Sequence, residues 1–280
     1  MEFRTVVDIP KLPFQIEPLQ QLLFVGSCFA DSIGQRFAEE HFPVTVNPFG
    51  TMYNPASVLH TVEQLTTLPL SASLTPPPTE RNEGSPPIAF LTLGTNHVYR
   101  LKATGEIVDN CQKRPQQLFT EEELTVTQCT DLLEQTVETL RRWHQEVQVV
   151  VTVSPIRYAK YGYHGSQLSK ATLLLAADEL CRRYAEGVSY FPAYELVCDE
   201  LRDYRFYQPD MLHPSQQTVD YIWERLVEVC FSPRAKQFLQ EWRPIRQALN
   251  HRPFRPDSPE YQTFLAEAQK REQELLARYT

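Results

Sequence analysis

The stretch Leu22-Leu23-Phe24-Val25-Gly26-Ser27-Cys28-Phe29-Ala30 indicates the fold of this chain. Its first four residues form a continuous apolar run that ends at a glycine, as in a strand buried on both faces of a parallel sheet. Beyond it, Phe29, Ile33 and Phe37 recur every four residues, so they share one face of a helix from about residue 29 to 41. The stretch thus predicts half of a β-α-β unit.

Further apolar runs, separated by helical patterns, extend this prediction to a whole sheet. They cover residues 43–47, 88–93, 147–153 and 188–191. Strands that alternate with helices favour a parallel sheet with helices on both faces. We expect an α/β domain over residues 1–232, with a proline-rich insertion at about 69–87 and a helical C-terminal appendage over 233–280.

Two details of the middle of the chain are also predicted. The residues that follow the third strand form an excursion, with a hairpin around Thr104-Gly105. Leu133, Val137 and Leu140 then mark a helix from about residue 122 to 145, which leads into the fourth strand.

Composition excludes several classes of function. A formal net charge of -8 gives no footprint for nucleic acid, which requires clustered cations. No stretch of about 18 apolar residues exists and the first residues lack an apolar signal core, so we expect a cytoplasmic protein with no membrane partner. The 6 cysteines and 7 histidines lack metal-ligand spacing, so we expect free thiols and neither metal nor cofactor.

Polar and small residues follow the predicted strands where each one ends. They are Gly26-Ser27-Cys28, Gly50, Gly94-Thr95-Asn96 and Ser154-Pro155. In open parallel sheets ligands bind outside the carboxyl ends of the strands. Asp210 and His213, three residues apart before a proline-started helix, could join them as an acid and a base.

These residues resemble the SGNH (GDSL-like) hydrolase superfamily, and Gly26-Ser27-Cys28-Phe29-Ala30 is similar to the signature of its GSCFA family. Other matching parts, in the expected order, are residues 47–55, Leu93-Gly94-Thr95, Asn110-Cys111 with Lys113 and Pro115, Val153-Ser154-Pro155, Ser169-Lys170 and residues 210–213. The resemblance implies a three-layer α/β/α, flavodoxin-like fold with five parallel strands. It also implies that Gly50 and Asn96 donate to an oxyanion, and that Asp210 and His213 form the acid–base pair.

The nucleophile departs from the superfamily pattern. Aligned without a gap, the chain has Cys28 where the catalytic serine belongs; a helix N-terminus and His213 would both favour its thiolate. A shift of one residue makes Ser27 the nucleophile instead and leaves Cys28 as a buried filler.

Each candidate also has a purely structural interpretation. Asp210 could cap the following helix, and Asn96 and Gly50 could simply serve turns. Arg157, Lys170 and Lys113 could form a cationic rim for an anionic substrate, or be solvated charges. His164, between two glycines, could lie on a loop above the sheet and touch substrate.

Together these features predict an acyl hydrolase (esterase or thioesterase) or acyltransferase that acts on a small-molecule or carbohydrate ester. The alternative is an SGNH-like binding module that has lost catalysis and recognises an acylated or carbohydrate ligand. The C-terminal helices could mediate self-association.

Overall fold

The architecture is that of a computed structural model, which describes residues 4–67, 85–109, 111 and 113–279. In chain order the strands are β1 (Leu22–Gly26), β2 (Val44–Val46), β3 (Ile88–Leu93), β4 (His97–Leu101), β5 (Ile107–Val108), β6 (Phe119–Glu123), β7 (Gln148–Val153) and β8 (Val188–Tyr190). The longer helices are α1 (Cys28–Glu39), α2 (Pro55–Thr67), α3 (Val126–Trp143), α4 (Gly162–Arg183), α6 (Gln216–Cys230), α7 (Pro233–Leu249) and α8 (Pro259–Tyr279). A short α5 (Ala193–Glu195) continues as a π-helical segment, Leu196–Leu201.

The central sheet has five parallel strands in the order β2-β1-β3-β7-β8. This is the flavodoxin-like order, in which the chain reverses its direction of travel across the sheet after β1 and β2. The predicted α/β fold with five parallel strands is therefore confirmed. The carboxyl ends of β1 and β3, which pair side by side with Gly26 opposite Thr92, mark the point where such folds bind ligands.

Two apolar cores lie on opposite faces of the sheet because successive strand residues point to opposite sides. Phe24 and Phe90 pack into the core formed with α1, α6, α7 and α8. Val25 and Leu91, one residue further along each strand, pack into the core formed with α2, α3 and α4. The helices thus fix the sheet from both sides and leave its carboxyl edge accessible.

A second, antiparallel sheet occupies the predicted excursion, with the strand order β5-β4-β6. The predicted hairpin is confirmed, since β4 pairs with β5 around Gly105, whose φ is 75°. The helix predicted from about residue 122 begins later, at Val126. Residues 119–123 pair with β4, and Thr125 and Gln128 form a capping box that starts the helix.

The C-terminal helices pack against the end of α1. The α7 residues Phe238 and Trp242 are buried in the same core as Phe37 of α1. The Trp242 indole donates to the Glu39 carbonyl at 3.1 Å, and Arg246 pairs with the buried Glu40 at 2.5 Å.

Most of the predicted proline-rich insertion, residues 68–84, lies outside the described residues. Among the described helices, none combines the length and the apolar character needed to span a bilayer.

Candidate active site

The turn from β1 into α1 is built around Gly26. Its φ is 143°, and a side-chain carbon there would stand 2.1 Å from the Thr92 carbonyl oxygen of β3. Only glycine therefore fits this position. The Gly26 N–H donates to the Asn47 side chain at 2.8 Å, which ties the turn to the loop after β2.

Ser27 is the N-cap of α1 and has no exposed surface. Its hydroxyl accepts from the Phe29 N–H at 3.3 Å and lies 3.1 Å from the Thr92 hydroxyl. These contacts engage the Ser27 hydroxyl with α1 and β3. Of the two predicted nucleophiles, the structure brings only Cys28 to the imidazole.

Cys28, His213 and Asp210 form a linear chain of contacts. The Cys28 Sγ lies 3.7 Å from His213 Nε2, and the other ring nitrogen, Nδ1, lies 2.6 Å from the Asp210 carboxylate. That carboxylate also accepts the backbone N–H groups of Leu212 and His213, at 2.8 and 3.0 Å. These backbone and imidazole hydrogen bonds lower the pKa of Asp210 to about 2. A carboxylate at Nδ1 assigns the proton to that nitrogen and leaves the Nε2 lone pair facing the thiol.

The helix-cap interpretation of Asp210 does not hold. The N-cap of α6 is Ser215, whose hydroxyl accepts from the Thr218 N–H at 3.3 Å. Asp210 instead bonds within its own loop and to the imidazole. The carboxylate is thus committed to orienting His213.

Arg157 holds the loop that carries this pair. Its backbone N–H donates to the Leu212 carbonyl and its guanidinium to the Met211 carbonyl, both at 3.0 Å. The guanidinium also lies 4.4 Å from the centre of the Tyr163 ring. Arg157 is therefore placed to position the acid–base loop, a different role from the predicted contact with an anionic substrate.

The match to a family model extends over most of this architecture. The model of the GSCFA family matches residues 21–73 and 85–226. The chain belongs to the GSCFA family. A second model, described as the C-terminal domain of GSCFA domain proteins, matches residues 242–280. The family predicted from Gly26-Ser27-Cys28-Phe29-Ala30 is confirmed.

Three solved structures are distantly similar to this GSCFA chain. A lipolytic protein of the G-D-S-L family from Veillonella parvula is 13% identical, with a TM-score of 0.45, and the match covers 75% of this chain and 97% of that one. A GDSL-like lipase from Bacteroides thetaiotaomicron is 11% identical, with a TM-score of 0.44 and coverage of 82% and 92%. A family 3 carbohydrate esterase from Clostridium thermocellum is 11% identical, with a TM-score of 0.41 and coverage of 75% and 96%. No curated protein matches the chain.

The thiol of the GSCFA signature is not ionised by its surroundings. Burial raises the pKa of Cys28, and the nearby Asp31 carboxylate raises it further. Its own backbone N–H, the Tyr53 hydroxyl and Lys170 act in the opposite direction but do not outweigh burial. The predicted thiolate is therefore corrected to a protonated thiol at neutral pH, which needs His213 to take its proton.

The rate of alkylation of Cys28 by iodoacetamide is expected to rise continuously from pH 7 to pH 9. Only the thiolate reacts, and a pKa raised above the ordinary 9.0 keeps its fraction growing with pH over this whole range. The rate can be followed by mass spectrometry of the peptide that contains Cys28. A plateau below pH 8 would contradict the protonated resting thiol.

Both predicted oxyanion donors already take part in hydrogen bonds within the fold. The Gly50 N–H donates to the Asn47 carbonyl at 2.9 Å and closes a turn. The Asn96 amide donates to the Leu124 carbonyl at 2.7 Å, and the Asn96 N–H to the Ser169 hydroxyl at 3.0 Å. With its backbone N–H and one of its two amide N–H groups, Asn96 thus joins the small sheet to the segment before α3 and to α4, and its oxyanion role stays a prediction.

Lys170 lies inside the GSCFA domain instead of on a cationic rim. Only 2% of its surface is exposed, and its ammonium donates to the carbonyls of Gly94 and Ser154, each at 2.7 Å. It therefore joins the carboxyl ends of β3 and β7. Burial lowers the pKa of Lys170 to about 7. Lys113 and His164 are exposed, and His164 lies in the first turn of α4, not on a loop.

Two tyrosines near the thiol were not predicted as site residues. The Tyr53 hydroxyl contacts Cys28, and its backbone carbonyl accepts the N–H groups of Gly94 and Thr95 at 2.9 and 2.8 Å. The Tyr158 ring lies edge-on to the Tyr53 ring, with 6.3 Å between their centres. Tyr53 stands within the family-like run of residues 47–55, which was the available signal. Tyr158 lies four residues past Ser154, where β7 leaves the sheet.

Among the described residues, no cluster of three or more metal-ligating side chains occurs.

Proposed function

We propose that this chain is an acyl hydrolase or acyltransferase that cleaves ester or thioester bonds through the Cys28 thiol. The observation that carries the proposal is the chain of contacts from thiol to imidazole to carboxylate, 3.7 Å and 2.6 Å long. A nucleophile, a base and a group that orients the base are the parts that acyl transfer requires.

The first half of the reaction would acylate the thiol. His213 Nε2 accepts the thiol proton while Sγ attacks the carbonyl carbon, which forms a C–S bond and places a negative charge on the carbonyl oxygen. When this intermediate collapses, the bond to the alcohol or thiol leaving group breaks and His213 returns the proton to it. Asp210 keeps its charge throughout and stabilises the imidazolium.

The second half would transfer the acyl group onward. His213 removes a proton from water or from an acceptor hydroxyl as its oxygen attacks the thioester carbonyl. The C–S bond then breaks and His213 returns the proton to the Cys28 sulfur. The His213 and Asp210 side chains are 39% and 42% exposed, so the acid–base pair opens to solvent and to incoming molecules. A small-molecule or carbohydrate ester suits such an open edge. Self-association through the C-terminal helices and a cytoplasmic location remain parts of this proposal.

A binding module without catalysis is the second candidate. It is favoured by the engaged Gly50 and Asn96 donors and by the raised pKa of Cys28. Such a protein would hold an acylated or carbohydrate ligand at the same edge but would leave its ester bond intact.

Trapping of an acyl-enzyme distinguishes the two candidates. We expect incubation with p-nitrophenyl acetate to add one acetyl group to Cys28, detected by intact mass and assigned by fragmentation of the peptide. Neutral hydroxylamine should remove this group, because it is a thioester and not an acetylated lysine or an oxygen ester on Ser27.

Cys111 provides the matched control, since its thiol is also free and partly buried. Cys111→Ala should acetylate like the wild type and Cys28→Ala should not. A wild-type chain that binds acetylated ligands yet never becomes acetylated at Cys28 would rule out the enzyme and leave the binding module.

A further inference from the structure

The Tyr158 hydroxyl is a buried polar group with no hydrogen-bond partner within the described residues. Such groups are rare in folded proteins, because burial removes the bonds to water and nothing replaces them. Such a group in a native protein calls for an explanation, and a catalytic role is one. Tyr158 lies just beyond the end of β7, near the carboxyl edge that holds Cys28.

The hydroxyl lies against the end of β3. A side-chain carbon built on Gly94 would stand 2.2 Å from it and 3.0 Å from the Tyr53 carbonyl. Gly94 therefore leaves the space that the phenol fills. Glycine is needed at position 94 for this close approach. It is not needed for backbone conformation, because the φ of Gly94 is not positive.

Sheet register brings this position close to the thiol. Gly26 of β1 pairs with Thr92 of β3, so Cys28 and Gly94 each follow the paired residues by two positions. Both positions therefore follow the carboxyl ends of neighbouring strands, and Cys28 is close enough to act electrostatically on Tyr158. The Tyr53 ring bridges them, since it contacts the thiol with its hydroxyl and Tyr158 with its ring.

The buried Lys170 side chain lies behind the phenol. Its ammonium lies 5.0 Å from the centre of the Tyr158 ring. When Lys170 is protonated, its charge at the face of the phenol ring draws electron density from the hydroxyl, which makes that hydroxyl a stronger donor. Burial keeps the hydroxyl protonated, because it raises the pKa of Tyr158 well above its usual value.

We propose that Tyr158 is a further catalytic residue, whose hydroxyl donates a hydrogen bond to the oxyanion formed when Cys28 attacks a carbonyl group. It would act together with the Cys28 N–H, which stands at the start of α1 where no intrahelical acceptor exists. The phenol keeps its proton in this step and only stabilises charge. The inference rests on the proposed function and adds a side-chain donor to the oxyanion site.

The test is Tyr158→Phe, measured by acetylation of Cys28 with p-nitrophenyl acetate under single-turnover conditions. We expect the maximal acetylation rate to fall by about 100- to 1000-fold, with little change in the ester concentration that gives half of that rate. Alkylation of Cys28 by iodoacetamide should be unchanged, because displacement of iodide forms no oxyanion. The melting temperature should stay the same or rise, because the variant removes an unpartnered buried hydroxyl.

Tyr161→Phe is the matched control. Its ring stacks on that of Tyr158 with 6.2 Å between centres, but its hydroxyl bonds to Glu121. This variant should acetylate at the wild-type rate. A Tyr158→Phe protein that acetylates as fast as wild type, or that melts at a lower temperature because the hydroxyl was bonded in the resting chain, would overturn the inference alone. A wild-type chain that never acetylates at Cys28 would instead overturn the proposed function and this inference with it.

Discussion

Replacement of His213 with alanine is expected to slow turnover of an aryl ester by about 100- to 10,000-fold. The Cys28 thiol is protonated at neutral pH, because burial raises its pKa, and His213 Nε2 is the base that the structure places 3.7 Å from it. Without the imidazole, the attacking thiolate must form by ionisation into solvent. The measurement is kcat for p-nitrophenyl acetate, compared with the wild type at pH 7.

His164→Ala is the control for this variant. His164 is exposed in the first turn of α4, so its loss should leave kcat unchanged. Circular dichroism should show that both variants keep the wild-type helix content. If His213→Ala retained full activity, the base would have to be another group and the contact with Cys28 would be incidental.

Lys170→Met is expected to change how the stability of the fold depends on pH. Burial lowers the pKa of Lys170 to about 7, whereas in the unfolded chain it titrates near 10.5. Between these values the unfolded chain binds one more proton than the folded chain, so the free energy of unfolding rises with pH by about 1.4 kcal/mol per pH unit. The advantage of wild type over Lys170→Met should therefore grow by roughly 3 kcal/mol from pH 7.5 to pH 9.5.

Urea denaturation at several pH values gives this difference directly. Cysteines and tyrosines titrate in the same range, but they are present in both proteins and largely cancel. Lys102→Met serves as the control, since Lys102 is exposed and its replacement should give no such slope. A difference between wild type and Lys170→Met that stays constant with pH would show that folding does not lower the pKa of Lys170.

The sequence predicted the strands that carry the site better than the contacts that its side chains make. Apolar runs followed by glycines located β1 and β3, because a strand buried on both faces needs a continuous apolar sequence. Asp210 and His213 were predictable because the acid and the base lie only three positions apart in the sequence. The choice between Ser27 and Cys28 was not, since it depends on which residue caps α1, and Thr92 of β3 decides this from another strand.

Donors whose partners are distant in sequence were beyond the reach of such reasoning. Asn96 is engaged by Leu124, which lies 28 residues away, and the resemblance alone could not show that contact. Lys170 was expected at a charged rim, yet two strand-end carbonyls hold it in the interior. The raised pKa of Cys28 follows from the burial that tertiary packing imposes, which no local pattern records.

Helix α1 connects the thiol to a remote part of the chain. Cys28 is its first residue, and its last turn is clamped by Trp242 and Arg246 of α7. Twelve residues at about 1.5 Å each make a stiff rod roughly 18 Å long. The helix can transmit a displacement from its end, which α7 contacts, to its first residue, which carries the sulfur atom. Substitutions in α7 that move the end of α1 can therefore displace the Cys28 sulfur, even when the residues around the sulfur stay the same.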